Sequence, residues 1–301
     1  MKIAFERRRS VITWGLFLFL GGLAVIFVIK TLWNPAMSGN PLSGLMRILM
    51  SAEWILILAA CLLALHAAWT LGYRRGLFFV FLIFASGLIS EVIGVNTGLI
   101  FGGFYTYQGD NQFMLWGVPP MIPLFWGAFI YAGYNISTSF LYWLNKRKPD
   151  KHAKNWETLL LLILLDGLIV VAIDLVMDPL QVQAGNWAWV SGGDYFQIPV
   201  NNFTGWFAVT AITTGIFRLF EYLNPKPVNN FNISMYLIPL SGYLLLCFGL
   251  IALTIKANLP QLTVIALCTM LPVAIVNLTL FLRWQRKQKA SQNTAPSADY
   301  S

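Results

Sequence analysis

Eight long apolar stretches run through this sequence and leave little chain between them. Several of them, residues 11–30, 158–177 and 259–282 among them, approach or exceed the roughly 20 residues that an α-helix needs to cross the hydrocarbon core of a bilayer. Apolar residue types make up 57% of the chain and charged types 11%, against roughly 45–50% and about 25% in ordinary soluble domains. Most of the surface must therefore face lipid, and no length is left for a soluble catalytic domain.

We therefore predict an all-α fold, a polytopic membrane helical bundle of about eight transmembrane helices that forms one domain over residues 1–289. Residues 290–301, which are mostly small or polar, are expected to form a disordered tail. The predicted spans lie near residues 11–30, 53–71, 77–95, 121–144, 158–177, 203–222, 234–256 and 259–282.

The basic residues predict the orientation of these spans, because short cytoplasmic loops carry an excess of Lys and Arg. If both termini are cytoplasmic, all but three of the 20 basic residues fall on the inner side, the exceptions being Lys30, Arg47 and Lys256. Arg218, at the end of the sixth span, is assigned to the inner side. The net charge of +8 is then a topology signal, and the basic loops are expected to meet anionic lipid headgroups and no nucleic acid. We expect a multi-pass protein of a bacterial plasma membrane or of a thylakoid membrane.

Two connections, residues 91–126 and 174–206, share one order of features and face the same, non-cytoplasmic side. Each begins with an acid, followed by a Gly-aromatic segment, a polar turn, a proline and, seven residues after that proline, a tryptophan. The matching residues are Glu91 with Asp174, Tyr105 and Tyr107 with Trp187 and Trp189, Pro119 with Pro199, and Trp126 with Trp206. The order is typical of two parallel repeats related by an axis along the membrane normal, although short matches of this kind also arise by chance.

The aromatic residues of these connections have a structural explanation, because Trp and Tyr concentrate at membrane–water interfaces. The acids do not. Glu91, Asp166 and Asp174 lie within apolar stretches, and Asp178 lies at the end of one, four residues after Asp174. A charged acid at the centre of a membrane helix costs about 2.5–3.5 kcal/mol on insertion scales, and no Lys or Arg lies in the outer half of a span except at its extreme end. We therefore expect these acids to keep protons, and Asp174 and Asp178 to repel each other if both ionise.

A neutral carboxylic acid beside a second carboxyl in an apolar site suits general acid–base chemistry on an apolar substrate. Structural roles stay open for two of the acids. Asp178 directly precedes Pro179, which favours a helix end at this point, and Asp166 suits a hydrogen bond between helices.

Other chemistries lack the residues that they need. The two histidines, His66 and His152, cannot build the histidine clusters of membrane di-iron enzymes. The sequence also has no Gly-rich nucleotide loop and no Asp-rich pair for Mg²⁺ and a diphosphate. We predict no metal and no cofactor, and we expect His66 to form hydrogen bonds between helices.

The motifs of the two connections resemble one known family. Residues 91–98 read EVIGVNTG, residues 101–107 read FGGFYTY, and residues 117–126 read GVPPMIPLFW. With Asp178-Pro179, Trp187-Ala188-Trp189 and Gly205-Trp206, these strings are similar to the integral-membrane carotenoid-biosynthesis family that includes the γ-carotene 1′-hydratases, also called 1′-hydroxylases, and the bisanhydrobacterioruberin hydratases. The resemblance covers residues 53–256.

The resemblance implies a carotenoid hydratase that adds water across the C1′–C2′ double bond of an acyclic ψ end, as in γ-carotene or lycopene, without metal, cofactor or dioxygen. The carotenoid would lie within the bilayer among the lipids, and its tertiary-alcohol product would suit a downstream carotenoid glycosyltransferase. On this basis we expect a proton donor at Glu91 or Asp174, with Asp178 supporting the water. The expected substrate-binding residues, mainly aromatic side chains that stabilise a cation, are Asn96, Tyr105, Tyr107, Trp126, Trp187, Trp189, Asn202 and Trp206.

Two other classes of function remain open. A proton-coupled membrane transporter or a lipid-binding protein also carries parallel repeats and membrane acids. The absence of a polar stripe toward the cytoplasmic side weighs against a carrier. A polyene isomerase or cyclase begins with the same protonation but excludes water.

Overall fold

The computed structural model describes residues 2–33, 52–108, 113–145, 155–225 and 233–293 of the chain. These residues form eight α-helices and two short strands. In chain order they are α1 (Lys2–Trp33), α2 (Ala52–Thr70), α3 (Tyr73–Thr97), β1 (Tyr105–Tyr107), α4 (Met121–Asn145), α5 (Trp156–Gln183), β2 (Trp187–Trp189), α6 (Val200–Leu223), α7 (Ile233–Lys256) and α8 (Pro260–Asn293).

The length and composition of several helices identify the chain as a membrane protein, and the all-helical prediction is confirmed. Within the described ranges, five helical segments are long and apolar enough to cross a bilayer, and α1 and α2 contain shorter apolar segments, Ser10–Ile26 and Leu56–Thr70. The five long segments are Tyr73–Thr97, Trp156–Gln183, Val200–Leu223, Met235–Lys256 and Pro260–Arg286.

Four central helices carry the two acid-bearing connections. The helices α3 and α5 both lead toward the strands, and α4 and α6 both lead away from them. Each of α3 and α5 packs against both α4 and α6. Around this group, α2 covers α3 and α4, while α7 and α8 pack on α4, and α8 also packs on α5. The central position of these four helices buries the acids of α3 and α5.

The helix α5 begins at a polar cap and continues past a proline. The Asn155 side chain accepts a hydrogen bond from the backbone N–H of Glu157 (2.9 Å), an arrangement that stabilises the first turn. The expectation that Pro179 favours a helix end is wrong, because α5 extends to Gln183. Proline leaves the carbonyl four residues earlier without its helical partner, and here the Tyr195 hydroxyl donates to that carbonyl, on Leu175, at 2.8 Å.

An ion pair inside the bundle holds Arg218, which we counted among the basic residues of the inner side. This residue is 4% exposed within α6, so its side chain is packed between helices. Its Nε donates to Oδ2 of Asp166 at 2.7 Å and its Nη2 to Oδ1 at 2.8 Å, and the Ser137 hydroxyl donates to the same carboxylate. Asp166 therefore ties α5 to α4 and α6, which is the structural role that the sequence left open for it.

His66 makes the predicted contacts between helices. Its Nδ1 lies 2.5 Å from the Tyr131 hydroxyl, and its Nε2 donates to the carbonyl of Met235 at 2.8 Å. These bonds join α2 to α4 and α7. At the carboxyl end of the chain, α8 includes residues 290–293 of the segment that we expected to be a disordered tail, and the remainder of that segment lies outside the described residues.

Candidate functional site

The two acid-bearing connections meet in a small antiparallel sheet that the sequence did not predict. Strands β1 and β2 pair so that Tyr105 lies opposite Trp189 and Tyr107 lies opposite Trp187. The rings of the two pairs lie 5.3 and 5.7 Å apart between centroids. The Trp189 indole also donates to the carbonyl of Phe101 at 3.0 Å. Aromatic side chains from both connections thus form one wall.

Each connection then makes the same kind of tight turn before its return helix. An isolated bridge joins Leu115 to Val118 in the first connection, and an equivalent bridge joins Tyr195 to Ile198 in the second. The two residues inside each turn have positive φ angles, as in a type I′ hairpin turn. They are Trp116 and Gly117 (50° and 87°) and Phe196 and Gln197 (50° and 68°).

Glu91 of α3 is held by three hydrogen-bond donors beneath this sheet. The hydroxyls of Tyr105 and Tyr107 donate to its Oε2 at 2.6 and 2.5 Å, and Nε1 of Trp126 donates to Oε1 at 2.8 Å. Glu91 is 4% exposed. Hydrogen bonds of this kind stabilise the ionised form of a carboxyl group, since each donor interacts more strongly with a carboxylate than with a neutral acid.

Both tyrosines of this group remain donors at physiological pH. Burial, reinforced by the adjacent Glu91 charge, raises the pKa of the Tyr105 hydroxyl well above its ordinary value, and the same causes raise the pKa of the Tyr107 hydroxyl. Each hydroxyl therefore keeps the proton with which it binds Glu91.

Two glycines of α3 make room for the donors of Glu91. A Cβ at Gly87 would lie 2.5 Å from Cβ of Trp126, and a Cβ at Gly94 would lie 2.7 Å from the Tyr105 hydroxyl. Real Cβ atoms do not approach other atoms this closely, so a larger residue at either position would displace a donor. Gly87 and Gly94 lie four residues before and three residues after Glu91, on the same face of the helix.

Asp174 and Asp178 of α5 share a single amide donor. Nδ2 of Asn202 donates to Oδ2 of Asp174 at 3.0 Å and to Oδ2 of Asp178 at 2.8 Å. All three side chains are nearly fully buried, with exposures of 0%, 3% and 1%. Among the described residues, Oδ1 of Asp174 has no hydrogen-bond partner. Two carboxyl groups this close to one donor are difficult to ionise together, because like charges in a buried site repel strongly.

A small cavity of about 20 Å³ lies between these two groups of acids. A cavity of roughly 10–15 Å³ is enough to hold one water molecule. Two of its lining residues, Tyr107 and Phe125, are partly exposed, and the others are buried. The lining residues are Glu91, Phe101, Tyr105, Tyr107, Ile122, Phe125, Met177, Asp178, Trp187, Trp189, Asn202 and Trp206.

The structure brings most of the predicted site residues to this cavity. Asp174 and Trp126 stand directly behind it, Asp174 against Asn202, and Trp126 against Glu91 and the Trp206 indole. Asn96 does not line the cavity. It is exposed on α3, and its amide donates to the carbonyls of Val92 and Trp116 at 2.8 and 3.0 Å, so it ties the helix to the first turn.

Four apolar lining residues were not predicted: Phe101, Ile122, Phe125 and Met177. Phe101, Ile122 and Phe125 lie within the motif strings of the first connection, and Met177 directly precedes Asp178, so their positions in or beside these motifs were their signal in the sequence. Residues of these types are common throughout a membrane chain, which makes that signal weak. Within the described ranges, no group of three His, Cys, Asp or Glu side chains has an arrangement that could hold a metal ion.

Comparison with known proteins places these features in a family. A family model described as carotenoid biosynthesis protein matches residues 52–274, which include α2 to α7, both strands and all the residues of the site. No curated protein and no solved structure matches the chain. Because the family model covers well over half of the sequence, the chain belongs to the carotenoid biosynthesis protein family and has a role in the biosynthesis of carotenoids.

Proposed function

We propose that this protein is a cofactor-independent carotenoid hydratase, which adds water across the C1′–C2′ double bond of an acyclic ψ end of the γ-carotene or lycopene type. The observation that carries the proposal is a cavity of about 20 Å³ bordered on one side by Glu91 with its three donors and on the other by Asp178 and Asn202. Hydration of an alkene needs an acid, a base, a bound water and walls that tolerate a cation, and this cavity combines groups suited to each task.

The pair of Asp174 and Asp178 is the proton source. Because both carboxyls approach the same amide in a buried site, one proton stays on the pair. Asp178 lines the cavity and Asp174 does not, so Asp178 transfers the proton to the alkene. The carboxyl group of Asp174 is the neighbouring group that makes ionisation of both acids unfavourable. The geometry thus favours a donor other than Glu91 or Asp174, the two donors expected from the sequence.

Glu91 is the base. Burial favours the neutral acid that we expected from the sequence, but three hydrogen bonds favour the carboxylate and offset part of that cost, so we assign Glu91 the ionised form. Glu91 also faces the same cavity as Asp178. Proton transfer from Asp178 to C2′ uses the π electrons for the new C–H bond and leaves a tertiary cation at C1′. The water oxygen then bonds to C1′, and its proton passes to Glu91. The proton returns to the aspartate pair before the next turnover, so the net change is the addition of one water.

Aromatic walls stabilise the cation between these two steps. The rings of Trp187, Trp189 and Trp206 line the cavity with those of Tyr105 and Tyr107. An aromatic face stabilises a nearby cation by roughly 0.5–2 kcal/mol, more where water is excluded. The carboxylate of Glu91 adds a fixed negative charge. This combination would hold a cation long enough for one bound water to capture it.

The polyene reaches the cavity from its partly exposed side. The tip of an acyclic carotenoid is larger than a space of about 20 Å³, so entry requires a side chain at the opening to move. Phe125, which is partly exposed and contacts Phe129 at 5.9 Å between ring centroids, stands at that position. A carotenoid lying among lipids would meet the protein there without crossing water.

The proposal places eight spans in the membrane with both termini cytoplasmic, as the distribution of Lys and Arg favours. It also treats the two connections as diverged copies of one unit. Their matched tight turns and the stacking of Trp126 on Trp206 support this duplication. In the first copy the acid acquired donors that favour its ionised form, and in the second it acquired a neighbouring acid that favours retention of a proton.

Buried polar side chains along α6 give the transporter a stronger case than the sequence suggested. Thr210, Thr213 and Thr214 continue the line from Asn202 toward Arg218, so a polar face does extend away from the site. Thr213 and Thr214 bond to carbonyls of their own helix, and Arg218 is paired with Asp166. Proton-driven uptake into vesicles without any change in pigment would favour a carrier over the hydratase.

The test is expression in bacteria that make lycopene or γ-carotene, followed by mass analysis of the pigment after growth in ¹⁸O-labelled water. We expect a product heavier by one water that carries the label. Label that arrives from dioxygen, or a product of unchanged mass, would overturn hydration; an unchanged mass with a new absorption spectrum would favour an isomerase or cyclase.

Matched variants separate the roles of the acids. Asp178→Asn and Glu91→Gln should each abolish the product while the protein remains in the membrane fraction. The control is Asp194→Asn, because Asp194 is exposed and lies outside the cavity lining. Full activity in Asp178→Asn would remove that residue from the reaction.

A further inference from the structure

The strands and turns of the two connections expose large apolar side chains that do not pack against the rest of the protein. We define the cap as residues 98–108, 113–120 and 184–199. Its outward side chains include Leu99 (63% exposed), Phe104 (54%), Phe113 (73%), Trp116 (71%) and Val190 (76%). Apolar area of this extent is unfavourable where it meets water, and clusters of such residues mark a surface that contacts something else.

The conformation of Trp116 strengthens this interpretation. Its φ of 50° lies in the left-handed region, where a bulky residue is strained and Asn or Gly is the usual choice. In the second turn the equivalent Phe196 is partly buried and contacts the Tyr195 ring at 4.9 Å between centroids. Trp116 is 71% exposed instead, so packing within the cap does not explain a tryptophan at this position.

The exposed surface of the cap is continuous with the lipid-facing side of α3. Ile89 and Ile93 are 59% and 37% exposed near the end of that helix, and Leu99 and Phe104 follow directly in the chain. The cap sequence contains no Lys or Arg, unlike the loops at the opposite ends of these helices. An uncharged surface rich in Phe and Trp next to a membrane span is suited to the boundary between headgroups and acyl chains.

We propose that the cap is seated in this boundary region of the bilayer, with Phe104, Phe113 and Trp116 in contact with lipid. Tyr107 and Phe125, the partly exposed residues of the cavity lining, then face the membrane and not bulk water. An apolar substrate reaches the site by lateral diffusion, and bulk water is kept from the acids by lipid as well as by protein.

The polar side chains of the cap supply internal controls. Asp194 and Gln197 are exposed in the second connection, and polar side chains are expected to stay on the aqueous side of the boundary. If the cap is seated in lipid, side chains at 104 and 116 are deeper than those at 194 and 197. If the cap stands in water, all four positions meet the same solvent.

The test measures depth with a fluorescent label. In a background lacking native thiols (Cys61→Ala, Cys247→Ala and Cys268→Ala), single cysteines are introduced as Phe104→Cys, Trp116→Cys, Asp194→Cys and Gln197→Cys and labelled with bimane. Each protein is reconstituted into phosphatidylcholine vesicles brominated near the headgroup end of the acyl chain. We expect quenching at 104 and 116 to be at least about two-fold stronger than at 194 and 197.

Equal quenching at all four positions, together with equal quenching by aqueous iodide, would overturn the proposal. Val190→Cys provides a further apolar position should Trp116→Cys fail to fold. Pigment hydration is measured separately on the same variants, so that quenching reports the location of the cap even if the hydratase reaction itself is disproved.

Discussion

Trp126 stacks on Trp206 with ring centroids 3.7 Å apart and an angle of 11° between the planes. The two tryptophans occupy equivalent positions in the two connections, seven residues after Pro119 and seven residues after Pro199. Trp126 donates to Glu91, and Trp206 lines the cavity. The stack therefore joins the donor that holds one acid to the wall that a cationic intermediate would contact.

Replacing Trp126 by Phe should separate its hydrogen bond from its ring contact. Trp126→Phe keeps an aromatic ring against Trp206 and removes the Nε1–H···Oε1 bond to Glu91. A hydrogen bond to a charged group contributes about 1.5–3 kcal/mol, so we expect hydration to slow by roughly 10–100-fold, at about 1.4 kcal/mol per factor of ten. The rate is measured from pigment product per quantity of folded protein.

Trp206→Phe is the control, because it replaces the other indole of the stack by a smaller ring and leaves all three donors to Glu91 in place. It should lose less activity than Trp126→Phe. The opposite order would mean that the bond from Trp126 does not support the function of Glu91.

Gly94→Ala should impair the site without unfolding the protein. The added Cβ would lie 2.6 Å from the Phe101 ring and 2.7 Å from the Tyr105 hydroxyl, and the simplest relief is for Tyr105 to move away from Glu91. We expect a loss of product similar to that in Tyr105→Phe. The double variant should lose much less than the product of the two single losses, because both changes remove the same bond.

Gly76→Ala is the matched control on α3. Its Cβ would lie 2.4 Å from the backbone carbonyl of Ala67, so it should reduce thermal stability and leave the activity of each folded molecule unchanged. If Gly76→Ala and Gly94→Ala lowered specific activity equally, a general disruption of the packing of α3 would account for both effects, and displacement of Tyr105 would not be needed.

Tyr195→Phe should destabilise α5 near the acids. The variant leaves the Leu175 carbonyl, which Pro179 already deprives of its helical donor, without the Tyr195 hydroxyl. A fully buried unsatisfied carbonyl costs about 1–3 kcal/mol. Because Leu175 is partly buried, the free energy of unfolding in detergent should fall by about 1 kcal/mol, the lower end of that range. In a Pro179→Ala background the helix supplies its own N–H, and the same substitution should cost less. Equal costs in both backgrounds would contradict this pairing.

Phe125 should control access of the polyene to the cavity. Phe125→Ala widens the opening and should raise the rate at low carotenoid concentration, whereas Phe125→Trp narrows it and should raise the substrate concentration needed for half-maximal rate. The comparison uses lycopene at several loadings in reconstituted vesicles. Phe113→Ala is the control, because Phe113 is exposed but does not line the cavity; identical kinetics for both Phe125 variants would place the entrance elsewhere.

The sequence by itself determined the helical membrane character and the identity of the acids. Long apolar stretches carry that information locally, because crossing a bilayer depends on the composition of about 20 consecutive residues. An acid inside such a stretch can be recognised from its sequence neighbours alone, because all of them are apolar or nearly so. The repeated connections pointed to the end of the bundle where Glu91, Asp174 and Asp178 meet, and His66 was recognisable as a residue that bonds between helices.

Only the tertiary structure decided how these residues pair. The meeting of Tyr105 and Tyr107 with Glu91 depends on the register of β1 against β2, which come from connections about 80 residues apart in the chain. The ion pair of Arg218 with Asp166 required α6 to pack against α5, and no local pattern distinguishes a buried arginine from one at a helix end. The roles of the acids follow from which donors reach each carboxyl group, and those donors are set by contacts distant in the sequence.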